Sequence, residues 1–301
     1  MDYSPHYMWT QNGYHERIEV WKKHLQAGLE EDGAAWDWTS LTTLKDPEKT
    51  VQARVVAKSD GVWAASLLCE AVMQLSAARG RAITVKKSLA SGTAYKKGAL
   101  IAEWKGPAVE VLTFERPFLN LASYVGGIAT ATQRLVKEVA SQKLKRPPRV
   151  VMTRKTLPGY RDLCAYGVLS GGGGIHRLAL SSGVLVKENH IAAAGGIKKA
   201  VLRARQAPHG LRVEVEVRNH EELKEAVEAG AEVIMLDNFT PAQVKAALAY
   251  LAREQVSVPI EVSGGINEAN IRAYALEGVD IISAGGITHS VTSVDLSMLI
   301  D

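Results

Sequence analysis

The sequence predicts an α/β protein in two parts: an α+β segment of roughly 115 residues followed by a run of parallel βα units. Three observations carry that prediction. The 301-residue chain is 47% hydrophobic and 23% charged, room for one large barrel domain and a smaller one. After residue 149, short apolar stretches alternate with amphipathic ones, as strands alternate with helices in βα units. Nearly every one of those apolar stretches ends in a charged residue or a glycine turn.

In order along the chain, residues 1–15 read as a loose arm carrying Tyr3, Tyr7, Trp9 and Tyr14, a segment suited to packing on a partner subunit or to disorder. Ile18, Val20, Trp21, Leu25 and Leu29 give residues 17–30 the period of an amphipathic helix. Residues 52–57 alternate weakly and end at the Ser59-Asp60-Gly61 turn signal, and 65–79 read as a helix stopped by Gly80. Short strands follow at 83–85 and 100–104. A long helix is expected over 117–142, ended by Pro147-Pro148. Its Gly126-Gly127 pair costs on the order of 1 kcal/mol per glycine, which implies close packing at that point.

Strands are then expected at 150–153, 183–186, 213–217, 233–236, 260–262 and 281–283. The helices between them are expected at 197–206, 221–228, 241–253 and 268–276. Asn219, Thr240 and Asn267 stand where helix N-caps belong. Six parallel units fit either a barrel or a doubly wound sheet.

Charge and cysteine content exclude several classes. The net charge of +4 is scattered, and its one cluster (Lys143, Lys145, Arg146, Arg149) reads as a solvated helix end, which disfavours a nucleic-acid binder. Cys69 and Cys164 form no metal-spaced pair and fit free thiols in a reducing compartment. The most apolar stretch, 62–78, is interrupted by Glu70 and Gln74, and the first fifteen residues hold no apolar run. A cytoplasmic protein without membrane contact is expected.

The strand ends carry the chemistry. Arg154-Lys155, Lys187, Glu216 and Asp237 follow or close successive strands, and two glycine turns, Ser263-Gly264-Gly265 and Gly285-Gly286, close the last two. In a barrel these ends converge on one mouth, where active sites are built. Arginine grips planar carboxylates through paired hydrogen bonds. Carboxylates serve sugar hydroxyls, a divalent cation or a developing positive charge. Glycine turns let backbone N–H groups approach a phosphate. Four consecutive glycines, 171–174, run into His176-Arg177 and favour anion binding. His190 and His289 stay open between a structural and a functional role.

These residues resemble the quinolinate phosphoribosyltransferase family (nicotinate-nucleotide pyrophosphorylase, carboxylating). The match runs through Asp37-Trp38-Thr39, ARVVAKSDG at 53–61, FERPFLN at 114–120 and GIAT at 127–130. It is strongest in TRKTLPG at 153–159, GGGGIHRL at 171–178, LVKENHI at 185–191 and VEVEV at 213–217, and LDNF at 236–239, EVSGG at 261–265 and THS at 288–290 complete it. The resemblance implies an incomplete α/β (TIM-like) barrel over 117–287, an N-terminal α+β sandwich over 16–116 after the arm at 1–15, and a C-terminal segment 288–301 that could return to the N-terminal domain. It implies transfer of a phosphoribosyl group from phosphoribosyl pyrophosphate to quinolinate, with decarboxylation, in NAD biosynthesis.

By the same resemblance, Arg116, Arg154, His176, Arg177 and Lys187 would hold quinolinate, with Arg116 reaching a neighbouring subunit's site in a homodimer or hexamer. Lys155, Glu216 and Asp237 would contact phosphoribosyl pyrophosphate and its magnesium, with Glu216 and Asp237 as the metal's carboxylates and no organic cofactor. Ser263, Gly264, Gly265, Gly285 and Gly286 would take the 5′-phosphate, with His289 beside them in the substrate set. The sequence departs from the family pattern at Glu188, where Asp is usual, at Gly126, where Ser is usual, at Ala122-Ser123 and at Pro117-Phe118. None of these removes a charged residue of the set. Alternatives are a related transferase acting on nicotinate or another acceptor, a Schiff-base aldolase using Lys187 as nucleophile, and a binding protein without turnover.

Overall fold

The computed structural model describes residues 14–207 and 210–301, so the arm with Tyr3, Tyr7 and Trp9 lies outside the described residues and Tyr14 opens the first helix. In chain order the elements are α1 (Tyr14–Glu31), α2 (Trp38–Thr43), β1 (Thr50–Ala57), β2 (Gly61–Val62), α3 (Ser66–Ala78), β3 (Thr84–Ser88), β4 (Ala94–Tyr95), β5 (Leu100–Pro107) and α4 (Ala108–Ala140). Then come β6 (Arg149–Met152), α5 (Arg161–Ser170), β7 (Gly174–Ile175), β8 (Val184–Val186), α6 (Glu188–Ala194), α7 (Ile197–Ala204), β9 (Val213–Val217) and α8 (His220–Glu228). The chain closes with β10 (Val233–Asp237), α9 (Pro241–Arg253), β11 (Ile260–Ser263), α10 (Ile271–Tyr274), β12 (Ile281–Ser283), α11 (Gly286–His289) and β13 (Leu296–Ile300).

Two compact units result. The first holds the chain up to Ala131 together with Asp162–Gly172 and Val291–Asp301; the second holds Thr132–Arg161 and Gly173–Ser290. The first unit is built on an antiparallel sheet of order β13-β1-β5-β3. Alternation in β1 buries Ala53, Val55 and Ala57. Helix α1 buries Ile18, Trp21, Leu25 and Leu29 at three- and four-residue spacing. Trp21 meets Tyr166 edge-on at 5.3 Å, and Trp104 meets Phe118 edge-on at 4.5 Å.

Helix α4 begins at Ala108, directly off β5, rather than at Pro117. Buried Ala108, Val111, Phe114 and Phe118 continue its apolar stripe through the proline. Pro117 forfeits one backbone hydrogen bond, and Gly28 faces it: a β-carbon on Gly28 would come within 3.1 Å of the Pro117 Cβ. Glu110, 1% exposed, is held at 2.6 Å by Arg79. The Gly126-Gly127 pair is close-packed, as expected. A β-carbon on Gly127 would stand 2.4 Å from the Thr292 carbonyl oxygen, so the C-terminal segment crosses the helix where it has no side chain. That segment ends in β13, which pairs antiparallel with β1.

The second unit is a seven-stranded parallel sheet of order β7-β6-β12-β11-β10-β9-β8. Strands β8 to β12 succeed one another without reversal, and β12 returns beside β6, as consecutive staves of a barrel wall do. β7 and β8 end the order unpaired with each other, so the wall is an incomplete barrel and not a doubly wound sheet. The Asn219 side chain accepts from the Glu222 N–H at 2.9 Å, and Thr240 forms a capping box with Gln243. The third expected cap differs. α10 is only four residues long, its cap position is Asn270, and the Asn267 carboxamide accepts instead from the Ala269 N–H in the preceding turn.

Candidate active site

The pleat of the parallel strands decides which residues face the mouth. Along β9, Glu214 and Glu216 share one face. Leu185 and Lys187, Met235 and Asp237, and Glu261 and Ser263 repeat the two-residue step on neighbouring strands. With Ser283 and the loop residues Thr153, Arg154, Lys155, His176, Arg177, Asn238, Gly264 and Gly265, the upper members line a cavity of about 450 Å³ in the second unit. It lies at the C-terminal strand ends, as in barrel enzymes generally. A larger groove lies between α8 and α9 and is lined by His220, Phe239 and Tyr250, but its charged members Glu221 and Arg253 stand exposed and do not converge.

One wall of the cavity is cationic. The Arg154 Nε is buried without a hydrogen-bond partner, a donor left open for an anion. Arg177 donates to the Gly183 carbonyl at 2.9 Å; burial and then the neighbouring Arg154 charge lower its pKa. Lys187, from the end of β8, reaches Glu216 Oε2 at 2.6 Å. His190, left open by the sequence, accepts the Lys187 N–H through Nδ1 at 3.0 Å and so caps α6.

The adjoining part of the lining is acidic. The Asp237 carboxyl is pushed above its ordinary value by burial and then by the Glu216 charge, with Lys187 and Lys155 pulling the other way. Asn238, in the left-handed region at φ 57, donates its carboxamide N–H to Asp237 Oδ2 at 2.7 Å. A bound divalent cation is the chemistry this wall fits. Two neighbouring carboxylates, Glu216 and Asp237, are the hard oxygen donors magnesium takes.

Within the cavity lining His176 Nε2 lies 2.6 Å from Glu214 Oε2 and 3.2 Å from Glu261 Oε2, and the Ser283 hydroxyl donates to Glu261 Oε1 at 2.5 Å. Burial alone would lower the His176 pKa; the two carboxylates outweigh it and raise the value to about 10. Glu214, Glu261, Ser283 and Asn238 were not singled out by sequence reasoning. The available signal was acidic and polar residues inside strands otherwise made of valine and isoleucine.

The remaining expected residues fall as follows. Gly285 sits beside Lys155, and the Thr288 hydroxyl donates to the Lys155 carbonyl at 2.8 Å. His289 pairs with the Ser290 hydroxyl at 2.7 Å. Gly285, Gly286 and His289 neighbour the cavity without lining it. Arg116 stands exposed on α4 in the first unit.

Known proteins match both parts of the chain. Residues 37–125 match the N-terminal domain model of quinolinate phosphoribosyl transferase and residues 128–299 its C-terminal domain model. The chain is 39% identical over 278 residues to the probable nicotinate-nucleotide pyrophosphorylase [carboxylating] of Bacillus subtilis, covering 92% of each. It is 37% identical over 276 residues to the human nicotinate-nucleotide pyrophosphorylase [carboxylating], covering 91% of this chain and 89% of that one. The structure of the nicotinate-nucleotide pyrophosphorylase from Francisella tularensis superposes with a TM-score of 0.83 at 33% identity, covering 94% of this chain and 97% of the other. With both domain models matched in order across most of its length, the chain belongs to the quinolinate phosphoribosyltransferase family.

Proposed function

We infer that the chain transfers the phosphoribosyl group of phosphoribosyl pyrophosphate to quinolinate with loss of carbon dioxide, giving nicotinate mononucleotide and pyrophosphate. The observation that carries this reading is the division of one cavity between an open cationic wall, centred on the unpartnered Arg154 Nε, and the Glu216–Asp237 wall. A substrate pair with carboxylates on one member and a cation-forming sugar on the other uses both.

Arg154, Arg177, His176 and Lys187 would orient the acceptor's carboxylates, with the pyridine nitrogen aimed at the sugar C1. The C1–O bond to pyrophosphate breaks as the nitrogen–C1 bond forms, and positive charge develops on the sugar. Glu216 and Asp237 would stabilise that charge. Lys155 and the turns at Ser263, Gly264, Gly265, Gly285 and Gly286 would hold the phosphates. Magnesium, held by Glu216 and Asp237 together with the pyrophosphate, would neutralise the leaving group's charge. The substituted ring nitrogen is positive, so the electron pair left by departing carbon dioxide rests on the adjacent ring carbon until a proton from solvent replaces it. No organic cofactor enters that balance.

Arg116, exposed on α4, would complete the site of a second copy in a homodimer or larger assembly. Two buried free thiols suit the reducing cytoplasm. The aldolase reading loses its footing at Lys187. A Schiff-base lysine must be neutral to attack, whereas this amine is 47% exposed and ion-paired with Glu216.

The test is purified protein with magnesium, phosphoribosyl pyrophosphate and quinolinate, following nicotinate mononucleotide and carbon dioxide together. Equal release of both supports the reading. Turnover of nicotinate in place of quinolinate would replace the acceptor, and no turnover with either would end it.

A further inference from the structure

Glu214 and Glu261 have no task in the mechanism above, yet both are buried, at 6% and 0% exposure. Carboxylates so placed are costly unless a fixed positive partner meets them. The partner here is a single imidazole nitrogen, His176 Nε2, hydrogen-bonded to Glu214 at 2.6 Å, with Glu261 Oε2 within ion-pair reach at 3.2 Å but making no hydrogen bond of its own. Glu261 is fixed in turn by the Ser283 hydroxyl on its other oxygen. The carboxylates and the hydroxyl come from three strands, β9, β11 and β12, and the ring from the loop after β7.

A metal in place of the shared proton does not suit the spacing. Ligands about 2.0–2.1 Å from a tetrahedral zinc stand about 3.3 Å apart, and Nε2 is only 2.6 Å from Glu214. The arrangement is that of a hydrogen-bonded ring held by its rear edge. The forward nitrogen, Nδ1, has no protein partner among the described residues, and the ring lines the cavity.

We propose that Glu214 and Glu261, with Ser283 behind Glu261, are positioning residues: they pin the His176 ring so that Nδ1–H is presented to a carboxylate of the pyridine acceptor. This rests on the phosphoribosyl-transfer reading and extends it below the residues that touch substrate. Because the three act through His176, their loss weakens the grip on the acceptor and leaves phosphoribosyl pyrophosphate binding alone.

The test compares Glu261→Gln and Ser283→Ala with wild type by steady-state kinetics in both substrates and by calorimetric titration with quinolinate. Loss of the buried carboxylate charge 3.2 Å from His176 Nε2 should raise KM or Kd for quinolinate about 10-fold in Glu261→Gln. A smaller rise is expected in Ser283→Ala, with KM for phosphoribosyl pyrophosphate unchanged in both. In a His176→Asn background Glu261→Gln should add nothing further. Equal rises in both KM values, or full additivity with His176→Asn, would overturn the proposal. If Glu261→Gln does not fold, Ser283→Ala decides by the same split. Wild-type protein that binds quinolinate without turning it over would remove the functional reading while the titrations still judge the positioning role. Absence of both binding and turnover removes both.

Discussion

Gly264 makes room for Asn238: a β-carbon at Gly264 would lie 2.2 Å from Asn238 Oδ1 and 2.8 Å from its backbone nitrogen. The glycine also holds φ 102, a conformation side chains resist. Asn238 is itself left-handed, and its carboxamide is hydrogen-bonded to Asp237. One glycine therefore sets the aim of the acidic wall. Gly264→Ala should lose about 1–3 kcal/mol of stability through backbone strain and most of its activity. Gly265→Ala is the control, with φ 61 but open space around its added carbon. Unfolding midpoints and kcat/KM for the two variants check this; equal behaviour of the pair would show that Asn238 is free to move.

Lys187→Met should act twice. It leaves Glu216, whose side chain is 13% exposed, without its 2.6 Å partner. It also removes one of the charges that hold the Asp237 pKa down, so that carboxyl shifts further upward. We expect kcat/KM to fall by about 10²-fold or more, the scale for one lost electrostatic contact in an active site. The acid limb of the pH–rate profile should move to higher pH, because Asp237 then needs a higher pH to ionise. An unmoved acid limb would separate Lys187 from Asp237.

Both thiols should be silent in the folded protein. Cys69 and Cys164 are buried, and burial pushes the Cys69 pKa up to about 12, so almost no thiolate exists near neutrality. A disulfide-exchange reagent should label neither cysteine in native buffer and both after unfolding. Rapid labelling of the native protein would contradict the packing of the first unit's core.

Sequence reading located the parallel strands well because a βα unit writes itself locally, as an apolar run, a cap and an amphipathic stretch. Asn219 and Thr240 cap their helices as their positions implied. The mouth was legible for the same reason: Arg154, Lys155, Lys187 and Asp237 follow the last apolar residue of their strands. Glu214 and Glu261 were not, because a buried acid inside a strand has meaning only through a partner remote in sequence, here His176. The start of α4 was misplaced because Pro117 looks like a first-turn proline, and the glycine that tolerates it, Gly28, lies far upstream.

Gly127 shows how far such a remote contact can matter. Its missing side chain admits the Thr292 carbonyl, and the segment that follows pairs with β1. Gly127→Ala should dislodge that crossing. Helix propensity alone would favour the alanine by about 1 kcal/mol, so a net loss of stability isolates the steric term. Denaturant titration reads it, together with hydrogen exchange in β13. A stabilised variant would mean the C-terminal segment can shift at no cost.

The His176 trio also predicts how stability depends on pH. Its pKa rises from the ordinary 6.5 to about 10 in the folded protein: burial works against this, and Glu214 and Glu261 outweigh it. A group that binds its proton more tightly when folded stabilises fully below its unfolded pKa, and that contribution is lost as pH rises through the folded value. The unfolding free energy should therefore decline from pH 7 towards pH 10. Glu214 acts in the same direction at lower pH: burial raises its pKa, so its ionisation also costs stability as pH rises above the ordinary carboxylate range. Tyrosines and lysines also titrate near pH 10, so the informative quantity is the difference from His176→Asn. Chemical denaturation across this window should show a shallower decline in the variant. Parallel curves for the two proteins would mean that the ring carries no extra proton in the folded state, and that the two acids beneath it are neutralised in some other way.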